Sequence, residues 1–143
     1  MGFEDTDLIE RAAHKYYTAD FGEEHLEKTN FFTELDKNVA LKEFLGNKQL
    51  LRSTINTSTA SQVNFPHTHY KQWSLIYYIN PDWKPEWAGE TLFYNDTLSE
   101  IILASIYKPN RCIVFDGSIP HSIRCQSTIA PNYRYSLAMF FDK

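Results

Sequence analysis

Cysteine is scarce in this chain: two among 143 residues, Cys112 and Cys125, with no CxxC or other zinc-type spacing. Two are too few for a disulfide-stapled scaffold, and their spacing offers no thiolate metal site. Both lie in strand-like runs (RCIVF, SIRCQS), which fits reduced thiols packed as small apolar side chains. Long apolar runs are missing as well, so no segment reads as a membrane span. The opening MGFEDTDLIERAAHKYY is acidic and amphipathic and lacks the basic region and apolar core of a secretory signal. The expectation is a cytoplasmic protein with no membrane partner. A basic stripe is also absent. Residues 1–50 hold 11 acidic and 6 basic side chains, net −5, and residues 51–143 hold 7 and 8, net +1. Nothing in that distribution favours a nucleic-acid partner.

What is present suits one domain over 1–143, with a helical support region in 1–50 and a β-core in 51–143 that carries the active site. At 43% hydrophobic residues the chain can fill one core. In TDLIERAAHKYYTADF, Thr6 or Asp7 can cap, and Leu8, Ala12 and Tyr16 recur at a spacing of four, which predicts a helix. Shorter helices are expected at 31–36 (FFTELD) and 39–45 (VALKEFL). From residue 51 the texture changes. LRSTINTS, WSLIYYIN, ETLFYND, IILASIYK, RCIVFDG, HSIRCQ and YRYSLAMFF are short, rich in β-branched and aromatic residues, and separated by Pro, Gly, Asn and Asp. Seven such runs predict a β-sandwich or jelly roll. Pro109-Asn110 and Asp116-Gly117 are the expected turns.

The chemistry sits at strand ends. In a strand, residues i and i+2 face the same side, so His67 and His69 of NFPHTHYKQW can both point into a barrel mouth. His121 opens a later strand behind Pro120 and is the natural third ligand. Arg134 lies in the last strand, where an interior guanidinium needs a partner and invites an anionic ligand held by its planar fork. Asn56, Tyr70 and Gln72 are further residues able to line the mouth. Trp73, Trp83 and Trp87 read as core and loop anchors, and the loop PDWKPEWAG is placed to border the site.

The order His67-Thr68-His69, Ser74-Leu75-Ile76-Tyr77-Tyr78-Ile79-Asn80, Trp83, Ala88-Gly89-Glu90-Thr91-Leu92-Phe93, Asp116-Gly117-Ser118-Ile119-Pro120-His121 and Arg134-Tyr135-Ser136-Leu137 resembles the Fe(II)/2-oxoglutarate-dependent oxygenases. The resemblance is to their prolyl-hydroxylase-like branch, in a short form like those of bacteria and phages, and covers roughly 65–141. It implies a double-stranded β-helix (jelly roll, cupin-like) with the N-terminal helices packed on one sheet. It also implies Fe(II) as metal, 2-oxoglutarate as co-substrate with O2, and a prolyl, peptidyl or small-molecule substrate to hydroxylate. Carried over by position, the metal ligands are His67, His69 and His121. Arg134 and Tyr78 would hold the far carboxylate of 2-oxoglutarate, with Ser74 and Ser136 as hydroxyl partners.

One position departs from the family pattern. Where those enzymes place a carboxylate ligand, this chain has His69. Three neutral imidazoles bring no negative charge to the metal, and imidazole also suits Zn, Cu and Ni. Two other readings therefore stay open. One is a cupin-type dioxygenase with a three-histidine iron site and no co-substrate. The other is a non-catalytic module that binds 2-oxoglutarate or a peptide. The oligomeric state is not legible in the sequence.

Overall fold

The structure is a computed structural model and describes residues 17–60, 62 and 64–143. The predicted helix beginning at residue 6 lies outside the described residues up to residue 16. Its last part, Tyr17–Asp20, is a strand, β1. Tertiary pairing makes it one: β1 runs antiparallel to the next strand, Tyr17 against Thr57 and Asp20 against Thr54. A free sheet edge supplies backbone partners that local helical periodicity does not register.

Three short helices follow: α1 (Glu23–Leu26), α2 (Phe31–Leu35) and α3 (Val39–Leu45). The last two fall where the sequence predicts them. Asn38 caps α3 by accepting a hydrogen bond from the Leu41 N–H at 3.1 Å. Thr29 accepts from the Phe31 N–H at 3.1 Å at the entry to α2.

The seven predicted runs are all strands: β2 (Leu50–Ser58), β3 (Gln72–Tyr78), β4 (Thr91–Tyr94), β5 (Ile101–Ser105), β6 (Cys112–Asp116), β7 (His121–Ile123) and β8 (Arg134–Asp142). They form a five-stranded sheet, β1-β2-β8-β3-β6, and a three-stranded sheet, β5-β4-β7, and among the described residues every strand pairing is antiparallel. This is a mainly β, jelly-roll fold of the double-stranded β-helix type, with the N-terminal helices on one sheet. Both predicted turns form. Asn110 sits at φ 61° with Arg111 N–H bonded to Lys108 O at 3.1 Å, the geometry a Pro-Asn turn favours. After β6, Ile119 N–H bonds Asp116 O at 3.0 Å and Ser118 N–H bonds the Asp116 carboxylate at 2.8 Å.

Strand parity divides the large sheet into two faces. Leu75, Leu137, Met139 and Phe141 are buried on the outer face, where Leu26 and half-buried Phe31, Phe32, Leu35 and Leu45 cover them. Phe31 meets Tyr77 edge-on at 5.4 Å and Phe44 meets Trp73 at 4.9 Å. The inner face carries Ser74, Ile76 and Tyr78 of β3, opposite Phe140, Ala138 and Ser136 of β8. Both thiols are free; burial pushes the Cys112 thiol up to about 12, which keeps it protonated. Cys125 lies beyond the end of β7, against the backbone of Thr59 and Ala60. Among the described residues no helix is long and apolar enough to cross a membrane.

Candidate metal centre and anion pocket

The two sheets meet where residue 67 leaves the small sheet and residue 72 enters the large one. His67 forms an isolated antiparallel bridge with His121 at the start of β7: His67 N–H bonds His121 O at 2.9 Å, and His121 N–H bonds His67 O at 3.0 Å. Two residues on, His69 N–H bonds Gly117 O at 2.6 Å. Gly117 needs to be glycine: a Cβ there would meet His69 O at 2.5 Å and Gln72 O at 2.8 Å. Backbone pairing thus fixes all three histidines. Their ring centroids lie 4.5 to 5.3 Å apart, and one nitrogen from each falls within 4.8 Å of the others.

The tautomers of two rings follow from their partners. His121 Nδ1 lies 2.8 Å from Ile119 O and His67 Nδ1 lies 3.2 Å from Phe65 O. A carbonyl oxygen only accepts, so Nδ1 carries the proton and Nε2 is left with its lone pair, as metal ligation requires. His121 is only 4% exposed, beneath Phe115 at 4.7 Å and Phe93 at 6.4 Å. Burial, reinforced by His67, lowers its pKa to about 3. Burial also lowers His69 to about 4, with the charges of His67 and Arg52 adding to the effect. Both rings are therefore neutral near pH 7.

His69 is supported differently. Its ring packs on Phe140 at 4.5 Å, and the Arg52 guanidinium lies over the same phenyl ring at 4.5 Å. Arg52 is opposite Phe140 in the β2–β8 ladder, which brings a cation to the imidazole end of the inner face.

The other end of that face is built around Arg134, which is 1% exposed. Its Nε donates to Gly89 O at 2.8 Å and Nη1 lies 3.5 Å from Ser136 Oγ. The guanidinium lies over Tyr107 at 4.7 Å and Tyr78 at 5.5 Å. These two rings stack on each other at 4.3 Å. Tyr78 OH is 2.8 Å from Thr91 Oγ1, which ties the two sheets together. Gly89, at φ 85°, adopts a backbone that strains any other residue, and a Cβ there would press on Trp83 at 3.1 Å and Arg134 at 3.3 Å. Ser136 and Asn56 face each other across β8 and β2 on this inner surface.

Ser74 shares the inner face of β3 with Tyr78. Its spacing of four from Tyr78 preserves the face but moves it roughly 13 Å along the strand. It lies opposite Phe115 and Phe140, the rings that touch His121 and His69. Its Oγ is buried, without a hydrogen-bond partner among the described residues. Tyr70 is exposed, and Gln72 shares the inward parity of Ser74. Trp83 is a loop anchor as predicted: its Nε1–H bonds Ala88 O at 2.8 Å and its ring packs on Tyr107 at 4.5 Å.

Sequence reasoning missed Tyr107, Thr91 and Arg52. Tyr107 is buried, and its hydroxyl accepts from Asn80 N–H at 2.9 Å while lying 2.6 Å from Tyr135 O. Nothing local marks it, because it ends an apolar run. Arg52 could have been found by parity, since it shares a face with Thr54 and Asn56.

No family model matches the sequence, and no curated protein matches it. Solved structures do resemble the fold. A prolyl hydroxylase from Trichoplax adhaerens, in complex with a hypoxia inducible factor oxygen degradation domain peptide fragment, superposes with a TM-score of 0.62 at 17% identity over 90% of this chain and 63% of that one. A 2OG-Fe(II) oxygenase family oxidoreductase from Burkholderia pseudomallei gives 0.61 at 15% identity, over 91% and 69%. A prolyl-4-hydroxylase from Pseudomonas putida gives 0.57 at 19% identity, over 90% and 68%. The chain thus spans less than two thirds of the Trichoplax structure. At such identities the likeness is one of fold.

Proposed function

We propose that the chain is an Fe(II)/2-oxoglutarate-dependent oxygenase, a hydroxylase with a His-x-His…His metal centre that acts on a prolyl, peptidyl or small-molecule substrate. One observation carries this reading: three imidazoles converge at one end of the inner surface of a jelly roll that buries an arginine on two tyrosines at the other. The donors suit a divalent cation. Their nitrogens lie within 4.8 Å of one another, two have Nδ1 bonded to carbonyl oxygens, and His69 and His121 are neutral. Imidazole is an accepted ligand of Fe(II), though not selective for it.

Bound there, Fe(II) would supply oxygen activation coupled to decarboxylation of 2-oxoglutarate to succinate and CO2. The chain's own residues orient, neutralise and exclude water. His67, His69 and His121 would hold the metal. The Arg134 fork, with Tyr78 and Ser136, takes the far carboxylate of the co-substrate. Phe93 and Phe115 cover the His121 ring and Phe140 packs on His69, while His67 stays at the surface. With no carboxylate among the ligands, the metal keeps its full charge and Arg52 adds to it. The dianionic co-substrate then offsets that charge, so metal and 2-oxoglutarate should strengthen each other's binding. The prolyl or peptidyl substrate class rests on the names of the Trichoplax and Pseudomonas structures.

The test is succinate. Full chain loaded anaerobically with Fe(II) and 2-oxoglutarate, then exposed to oxygen, should form succinate at a rate that depends on both additions, read by NMR. Oxygen uptake with no need for 2-oxoglutarate would transfer the assignment to a cupin-type dioxygenase. Binding of metal and 2-oxoglutarate without turnover would leave a binding module. His69→Asp should keep metal and turnover, because a carboxylate at that position reaches the same cation; loss of metal would make the imidazole itself the requirement.

A further inference from the structure

The small sheet ends on β5, and β5 is built unlike the other strands. Ile102 is 58% exposed and Leu103 62%, and Ile101 and Ile106 beside them are also exposed. β5 pairs with β4 alone, so among the described residues its other edge has no strand against it. The register shifts between Phe93 and Tyr94, so Ile102 is an extra residue between Ile101 and Leu103. Beside β5 lies β6, the edge of the large sheet, and the gap between the two encloses about 450 Å³. Phe93, Ile102, Leu103, Ile113, Phe115 and Ile119 line it. An edge strand usually carries lysine or proline to prevent pairing with another chain, and three consecutive aliphatics do the reverse.

The charges around β5 say what pairs with it. The six residues before the strand, 95–100, contain Asp96 and Glu100 and no basic side chain. The six after it, 106–111, contain Lys108 and Arg111 and no acidic one. Two such strands laid antiparallel set each acidic end against the other's basic end; laid parallel, they set like against like. The edge is complementary to itself, which is the requirement of a two-fold interface. We propose that two copies of this chain associate by antiparallel pairing of β5. The two small sheets become one six-stranded sheet, and the apolar gap between β5 and β6 is covered at the junction. Phe93 and Phe115 in that gap pack at 4.9 Å, and Phe115 touches His121, so association would close the back of the histidine cluster. The proposal does not depend on which reaction the cluster supports.

Two measurements on the whole chain decide it. Light scattering across a concentration series should give a dimer that dissociates on dilution, and hydrogen exchange of those amides of 101–105 that do not bond β4 should be slow in the dimer and fast in the dilute monomer. Leu103→Lys should give a monomer with unchanged circular dichroism. Glu100→Lys and Lys108→Glu should each weaken association several-fold, and the double exchange should recover it. Should Leu103→Lys fail to fold, the wild-type exchange data still decide. A monomer at every concentration overturns the proposal, whether its β5 amides are exposed or are protected by another part of the same chain. A dimer that survives Leu103→Lys overturns it too, and failure of the double exchange to recover affinity overturns the antiparallel pairing.

Discussion

The two faces of the large sheet use the same strands for opposite purposes. On the outer face, Leu75, Met139, Leu137 and Phe141 sit under aromatic and aliphatic residues of α1 to α3. Each contributes area removed from water, and volume matters more there than identity. On the inner face, the same strands bury Ser74, Tyr78, Arg134 and Ser136. Polar burial costs stability unless every group is matched, so this face is held by particular bonds: Arg134 to Gly89, Tyr78 to Thr91, Tyr107 to Asn80 and Tyr135. One face folds the molecule, and the other spends part of that stability on a site. Stability and ligand binding should therefore be separable by mutation.

The largest effects should come from crossing the two faces. His67→Ala removes a proposed ligand whose ring is at the surface. Stability should change by only about 0.5 kcal/mol, while metal affinity, read by calorimetry, should fall by more than the roughly 100-fold of a lost supporting hydrogen bond. Met139→Ala should do the opposite. It truncates a fully buried side chain at a cost of about 2–5 kcal/mol by denaturant titration, with metal affinity of the folded protein unchanged. If the two variants affect both properties alike, the division between faces is wrong.

Acid should act on the inner face first. His69 and His121 have pKa values lowered to about 4 and about 3 from 6.5, chiefly by burial. Between 6.5 and those values the unfolded chain holds protons that the folded chain does not, so stability falls as pH drops through that window. The slope is about 1.4 kcal/mol per pH unit for each fully shifted histidine. Metal-free protein titrated with urea from pH 7 to 4.5 should show it, and the slope should shrink when His69 is replaced by Gln. A flat profile would mean that these rings are charged or solvated in the folded protein.

How much of this is visible in the sequence depends on the range of the interaction. The seven strands of the β-core were legible because each carries its own β-branched and aromatic run and its own turn residues. The convergence of three histidines was legible because a parity of two and a proline-led strand are local facts about His67, His69 and His121. Strand β1 was not, because its partner Thr57 is 40 residues away from Tyr17. Tyr107 was not, because what makes it important is the Tyr78 ring stacked on it, from a different sheet region. The surroundings of Ser74 were not legible, because spacing in a strand fixes the face but not the neighbours, and the aromatic rings beside it come from β6 and β8.

Arg134→Lys gives a smaller but sharper comparison, made within the inner face alone. The substitution keeps the charge and loses the fork. Lysine cannot donate as Nε does to Gly89 O while also presenting two parallel donors to a carboxylate. Its compact ammonium also covers less of Tyr107 and Tyr78. If the guanidinium is the carboxylate clamp, KM for 2-oxoglutarate should rise by about 10–100-fold, equivalent to about 1.4–2.7 kcal/mol. Metal affinity without 2-oxoglutarate should stay within about two-fold of wild type, since no histidine contact changes. A rise in KM with kcat preserved is the signature of lost co-substrate binding. A fall in kcat at unchanged KM would instead place Arg134 in the scaffold of the tyrosine pair, with the far carboxylate held elsewhere, and Arg52 at the imidazole end would then be the cation to test.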